Sequence, residues 1–198
     1  MELANAPATY AFTAVNVIIS FYAFFIDPKF MDEFSFRVDA VRNKKQYHRL
    51  ISSAFLHVDM FHLLFNMMAL LSFGPIVERI LDTDGMIVVY VGSILASKIF
   101  AILNNKDNPT YSAVGASGAV SGVILSFCLF FPFENIYMLG LPVGIPAILF
   151  GVGYMLISAK LMGNANRIIG HEAHLGGAAG GILLTILMRP DLVTQWFG

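Results

Sequence analysis

Residues 60–103 read MFHLLFNMMALLSFGPIVERILDTDGMIVVYVGSILASKIFAIL. Two apolar runs, 60–77 and 86–103, flank a polar segment that opens on Glu78-Arg79. Each run comes close to the roughly 20 residues that cross a bilayer as a helix. The rest of the chain has the same character. Of its 198 residues 57% are hydrophobic and 13% charged, and the mean hydropathy is +0.72. A soluble domain carries about 25% charged residues. A chain with half of that cannot cover itself with polar surface, which argues against a soluble globular protein and a disordered segment. A net charge of −1 provides no basic field for nucleic acid. A single cysteine, Cys128, excludes an intramolecular disulfide framework and a Cys-rich metal site. What remains is an all-α, polytopic membrane protein, and the length allows six or seven spans.

Outward from this pair of runs, the other predicted spans are 9–26, about 115–131, about 145–159 and about 173–188. The first lacks a basic leader and a small-residue cleavage site, so it reads as a retained helix and not a signal peptide. Lys98 lies near enough to the end of its run to snorkel. Residues 29–49 form the longest polar stretch, with six basic residues: Lys29, Arg37, Arg42, Lys44, Lys45 and Arg49. No internal repeat or second domain is visible, so residues 1–198 read as one domain. The bias that keeps Lys and Arg in the cytoplasm places the N-terminus outside, because an inside N-terminus leaves only Arg79 and Arg189 on the inner side.

Polar side chains inside hydrocarbon are costly and are functional candidates by default. His62 and Asn66, four apart, share one helix face. Two donors aimed at one spot suit an oxyanion hole, but from this cluster alone hydrogen bonding between helices is the reading to prefer. Gly115-Ala-Ser117-Gly118-Ala-Val-Ser121-Gly122 heads the fourth span. Gly118 and Gly122 form a small-residue seam of the kind that lets helices approach. Gly177 and Gly181 form a second seam, behind His171-Glu-Ala-His174. If the two seams pack together, Ser117 and His174 meet. A serine hydroxyl becomes a nucleophile when a base takes its proton, and histidine suits that task at neutral pH. Zinc ligation by His57, His62, His171, Glu172 and His174 is the competing reading. The His171–His174 spacing departs from His-Glu-x-x-His, and no second carboxylate accompanies it. Glu78-Arg79 reads as a helix-end anchor or an ion pair.

Together these residues resemble the rhomboid family of intramembrane serine proteases, from about Tyr47 to Ile186. His57, His62 and Asn66 resemble its His-x4-His-x3-Asn pattern, and Gly115-Ala-Ser117-Gly118 its Gly-x-Ser-Gly. Ala173-His174-Leu-Gly-Gly177 resembles its Ala-His-x-x-Gly, and Gly74–Glu78 its Gly-x3-Glu. The resemblance implies a six-helix bundle of the bacterial type with a Ser117–His174 dyad and an oxyanion site of His62, Asn66 and the Ser117 backbone N–H. It implies packing for Gly115, Gly118, Gly122, Gly177, Gly181, Glu78, Arg49 and His57. It implies no cofactor or metal. The partners it implies are membrane lipids and transmembrane-helix protein substrates with helix-weakening residues near the cut and a small residue before the scissile bond. It also implies a bacterial plasma (inner) membrane, a cytoplasmic N-terminus and a site facing the periplasm. That opposes the charge count unless the basic residues of 29–49 lie among lipid headgroups in a membrane-embedded loop. Two positions depart from the pattern: His48-Arg49 stands where Trp-Arg is common, and Ser121 where many bacterial members carry an aromatic against the catalytic histidine. A derlin-like, non-catalytic protein that binds unstable transmembrane helices is the alternative. Such proteins typically lose the serine or histidine that is present here. A transporter would want an inverted repeat or matching broken helices, and neither is seen.

Overall fold

A computed structural model describes residues 5–138, 140, 142–162 and 170–197. Helix α1 (Pro7–Phe25) leads into a segment with α2 (Lys29–Phe34), strand β1 (Phe36–Arg37), α3 (Val38–Arg42) and α4 (Arg49–Ser52). Then come α5 (Met60–Asn104), β2 (Ser112–Ala113), α6 (Ser117–Phe130), β3 (Asn135–Ile136), β4 (Ile145–Pro146), α7 (Ala147–Leu161), α8 (His171–Met188) and α9 (Asp191–Phe197). The strands form two antiparallel two-residue ladders, β1–β2 and β3–β4, on an otherwise helical molecule.

The expected six spans do not appear as six long helices. Among the described residues, α1 with 19 residues and α5 with 45 are long and apolar enough to cross a membrane. Helices α6 and α7 are apolar but have 14 and 15 residues, and α8 has 18. The runs 60–77 and 86–103 fall within α5, which breaks at Asp82 (φ 58°, ψ 175°). A positive φ combined with an extended ψ is a conformation that residues with a side chain rarely adopt, and it breaks the helical path at this one position. The two limbs reverse direction there, as the bonds to α1 show. Near the start of α1, Thr9 meets Glu78; further along, the Asn16 amide donates to the Tyr90 hydroxyl (2.9 Å). Towards the far end, Ser20 donates to the carbonyl of Phe55 (3.1 Å). The first limb thus runs antiparallel to α1, and the second returns along it.

Large apolar side chains point outward, among them Ile18, Phe61, Phe65, Ile99, Leu149, Leu156 and Leu183. Small and polar ones point inward: Thr9, Asn16, Ser20, Ser93, Ser126 and Thr185 are each 0% exposed. Large apolar side chains also fill the interior, Leu63, Leu70, Met86, Tyr90 and Ile94 among them, so the polar groups are set within an apolar core, where close approach and hydrogen bonds hold helices together. Ser126 and Thr185, hydroxyl to hydroxyl at 2.7 Å, join α6 to α8 in this way.

Residues 29–49 are less polar than their composition suggests. Phe36, Val38 and Val41 pack with Ala101 into a small core of their own. Arg49 is buried and holds this segment together, donating to the carbonyls of Asp32 (3.0 Å) and Ser35 (2.8 Å) and to the Gln46 side chain (2.6 Å). His48 stands edge-on to Phe34. Lys98 does not snorkel. It is 3% exposed, with its ammonium 5.3 Å from the Phe36 ring centroid. The segment covers the end of α5, so the lysine finds an aromatic face where a bare helix end would have offered water.

Glu78 is a helix-end anchor in trans. Its carboxylate accepts the backbone N–H of Ala8 and of Thr9 (2.8 Å each), the Thr9 hydroxyl (2.7 Å) and the Thr83 hydroxyl (3.1 Å). These N–H groups belong to the first turn of α1, where no intrahelical acceptor exists and a negative charge is favoured. Stranding a buried donor costs about 1–3 kcal/mol. Glu78→Ala is therefore expected to lower stability by at least about 2 kcal/mol, read as an earlier melting transition in detergent, with little change in turnover per folded molecule.

Candidate active site

The loop before α6 is fixed from two sides. Gly115 has φ +122°, a conformation that favours glycine, and a Cβ there would lie 2.5 Å from the His62 ring. Its N–H donates to the Ser53 carbonyl (3.0 Å). The next N–H, of Ala116, donates to His57 Nε2 (3.4 Å). Nε2 must then be an acceptor, which puts the imidazole proton on Nδ1, 2.9 Å from Ser20 Oγ. His57, 0% exposed, thereby braces α1 against the residue preceding Ser117. Ser117 opens α6, where the first-turn N–H groups lack helical partners and the helix dipole favours an anion.

Asp59 caps α5, its carboxylate accepting the His62 N–H at 2.7 Å. His62 Nδ1 is buried with no hydrogen-bond partner among the described residues. The Asn66 amide gives one hydrogen to the His62 carbonyl (2.8 Å) and has a second N–H to offer.

The two glycine seams face each other. A Cβ on Gly177 would strike the Gly118 carbonyl, and one on Gly181 would strike the backbone of Gly122. A third element joins them: a Cβ on Gly118 would meet Ser97, and one on Gly122 would meet Ser93, both from the second limb of α5. This approach brings α6 and α8 together at their heads. Ser117, His174, His62 and Asn66 all line one cavity of about 370 Å³. Its wall also carries Asp59, Val120, Ser121, Ile124 and Tyr154. Val58, Asp59, Val114 and Gly170 line both this cavity and a polar one of about 560 Å³ bordered by Asp32, Ser35 and Arg37. Among the described residues no group of three or more His, Cys, Asp and Glu is placed to hold a metal ion.

The Rhomboid domain profile matches residues 44–191. The chain belongs to the rhomboid family. It is 29% identical over 168 residues to RHOMBOID-like protein 12, mitochondrial, of Arabidopsis thaliana, covering 75% of this chain and 48% of that one. It is 34% identical over 142 residues to the provisionally named rhomboid protease YdcA of Bacillus subtilis, covering 72% and 67%. It is 31% identical over 143 residues to Rhomboid protein 1, mitochondrial, of Saccharomyces cerevisiae, covering 68% and 40%. The chain thus spans about half the length of the Arabidopsis relative. Membership makes this rhomboid an integral membrane protein. Its relatives are mitochondrial as well as bacterial, a wider range than the bacterial type expected from the motifs.

Within this rhomboid domain, three features escaped the sequence reading. Ser93 and Ser97 complete the glycine seam, and their four-residue spacing was the available signal. Asp59 caps the helix that carries His62. Tyr154 of α7 faces His174, with ring planes 17° apart and centroids 6.2 Å apart. No local pattern marks that contact, because α7 and α8 find each other only in the folded bundle. Nearby His171 stands edge-on to His174 at 6.0 Å.

Proposed function

We propose that this rhomboid is an intramembrane serine endopeptidase that cleaves transmembrane helices of other membrane proteins. The observation that carries the reading is the convergence of Ser117, His174, His62 and Asn66, from three helices, on one cavity. Ser117 Oγ attacks the scissile carbonyl while His174 takes the hydroxyl proton. The carbonyl oxygen becomes an anion beside the Ser117 N–H, His62 and Asn66. Collapse breaks the C–N bond, and His174 returns the proton to the leaving amine. Water then repeats the sequence on the acyl-enzyme, and the polar cavity that shares four lining residues with the site is its route. No cofactor or metal takes part. The domain is the whole chain, a bundle of six spanning segments when the two limbs of α5 are counted separately. The N-terminus lies on the cytoplasmic or matrix side, and the site faces the other. The short α6, about 21 Å at 1.5 Å per residue, suits a serine below the membrane surface.

Incubating the purified protein with a model single-span substrate carrying a helix-weakening segment tests the reading. Two cleavage products are expected, and a protein that binds the substrate without cutting it would establish the non-catalytic alternative.

The oxyanion assignment has its own test. If His62 and Asn66 only join helices, replacing either lowers the melting temperature and leaves turnover intact. If they hold an oxyanion, turnover falls while the fold survives. One donor is worth about 10²–10³ in rate in soluble proteases. Here the Ser117 N–H remains and the two side chains partly cover for each other. Asn66→Ala is expected to lose roughly tenfold, below that soluble figure, and His62→Ala more, measured beside melting in the same detergent.

A further inference from the structure

Tyr154 stands beside His174 and reaches Ser117 through Ser121. Its ring lies nearly parallel to the His174 imidazole. Its hydroxyl is 2.5 Å from Ser121 Oγ, and Ser121 Oγ donates onward to the Ser117 carbonyl at 2.6 Å. Ser121 has one proton and gives it to that carbonyl, so Tyr154 must be the donor to Ser121. One side chain of α7 therefore faces the histidine with its ring and reaches the serine backbone through its hydroxyl.

The rest of α7 makes this contact matter. The buried residues of α7 are Ala147, Gly151 and Ser158, none with a large side chain. With Tyr154 they fall at intervals of four, three and four, a single helical face. Leu149, Val152, Leu156 and Ile157 point outward. Gly151 lets α7 approach Cys128 of α6, a Cβ there standing 3.5 Å from the cysteine side chain. Two large side chains share this inward face: Phe150, which packs on the core and stacks on Tyr154, and Tyr154 itself, which lines the cavity.

We infer that Tyr154 is a positioning residue: its ring sets the plane of the His174 imidazole, and its bond through Ser121 makes the docking of α7 a condition for an aligned Ser117–His174 pair. The inference rests on the proteolytic reading. It assigns a purpose to Ser121, which stands where an aromatic was expected. In this chain the aromatic comes from another helix, and Ser121 is the small partner that accepts its hydroxyl. A proton acceptor held in the wrong plane costs rate without costing binding, because substrate affinity does not depend on the imidazole's orientation.

Four variants test this: Tyr154→Phe, Tyr154→Leu, Ser121→Ala, and the Tyr154→Phe/Ser121→Ala double. Melting temperature, kcat and KM on the model substrate are measured for each. The His174 imidazole signal is also recorded in ¹³C-histidine-labelled protein, assigned by its loss in His174→Ala. Tyr154→Phe and Ser121→Ala should each lower kcat roughly 3- to 10-fold, the rate equivalent of one hydrogen bond, with KM within about twofold. The double should be no worse than Ser121→Ala alone, since that variant already removes the Tyr154 bond together with the bond to the Ser117 carbonyl. Tyr154→Leu should lower kcat about 10²-fold, the scale of an ångström-sized misplacement, and should move the His174 signal in folded protein. An unmoved signal in Tyr154→Leu overturns the inference, as does a Tyr154→Leu effect confined to KM, which would make the ring a substrate wall. Full kcat in both single variants removes the hydroxyl bond from it. A wild type inert towards substrate, with Ser117 unlabelled by a serine-directed fluorophosphonate, overturns the proteolytic reading itself and the inference with it. That failure differs visibly from an active wild type with indifferent variants.

Discussion

Ser117→Ala is expected to leave no detectable cleavage, while Ser121→Ala keeps measurable cleavage. The two hydroxyls lie one helical turn apart, line the same cavity and carry the same intrinsic chemistry, so position must decide between them. Ser117 stands at the head of α6, directly after the loop that Gly115, Ser53 and His57 hold in place. A carbonyl attacked there faces first-turn N–H groups and the positive end of the helix dipole. Ser121 lies inside the helix, where backbone donors are already used. Its hydroxyl is committed between Tyr154 and the Ser117 carbonyl. Removing the nucleophile of a soluble serine protease costs on the order of 10⁶ in kcat, below the detection limit of a gel assay for an enzyme of ordinary speed. The check is product formation by the two variants at equal folded concentration. Equal activity of Ser117→Ala and wild type would end the serine-protease reading.

His174→Ala is expected to fall by a similar order of magnitude, whereas His171→Ala stays within roughly tenfold of wild type. Both histidines begin α8 and sit three residues apart, so sequence spacing alone allows either to face the bundle. The packing separates them. His174 lines the cavity with Ser117 and lies against the Tyr154 ring. His171 contacts the edge of the His174 ring and is not among the cavity's lining residues. Its removal changes a neighbour of the base, not the base. Loss of cleavage in His171→Ala with retention in His174→Ala would place α8 in the wrong register. A chelator should leave both variants and the wild type unchanged, and inhibition reversed by added zinc would revive metal ligation.

Legibility in the sequence falls with distance along the chain. The candidate residues were legible because each lies in a short pattern: His62 and Asn66 four apart, Gly115 two before Ser117, His174 three before Gly177. The apolar runs located the helices to within a few residues, although α8 starts at His171, two residues earlier than expected. The reversal at Asp82 was legible only as a polar interruption. The covering of Lys98 by Phe36 was not legible. It depends on residues about sixty positions apart meeting after the segment 29–49 folds over the end of α5.

What the sequence by itself determined was the solvent and the segments. A chain that is 57% hydrophobic and 13% charged must place its apolar side chains against lipid, and its runs must become helices because hydrocarbon leaves backbone polar groups no other partner. The glycine seams determined where two helices could approach. Only the tertiary structure decided which helices do so, and what they bring with them. Gly118 and Gly122 met Gly177 and Gly181, Glu78 met the first turn of α1, and Tyr154 met His174 and Ser121. The physical reason is range. Helix formation is written into neighbours three and four residues apart. A hydrogen bond or ring contact between helices exists only once close packing has excluded lipid from between them, and that packing depends on the whole bundle at once.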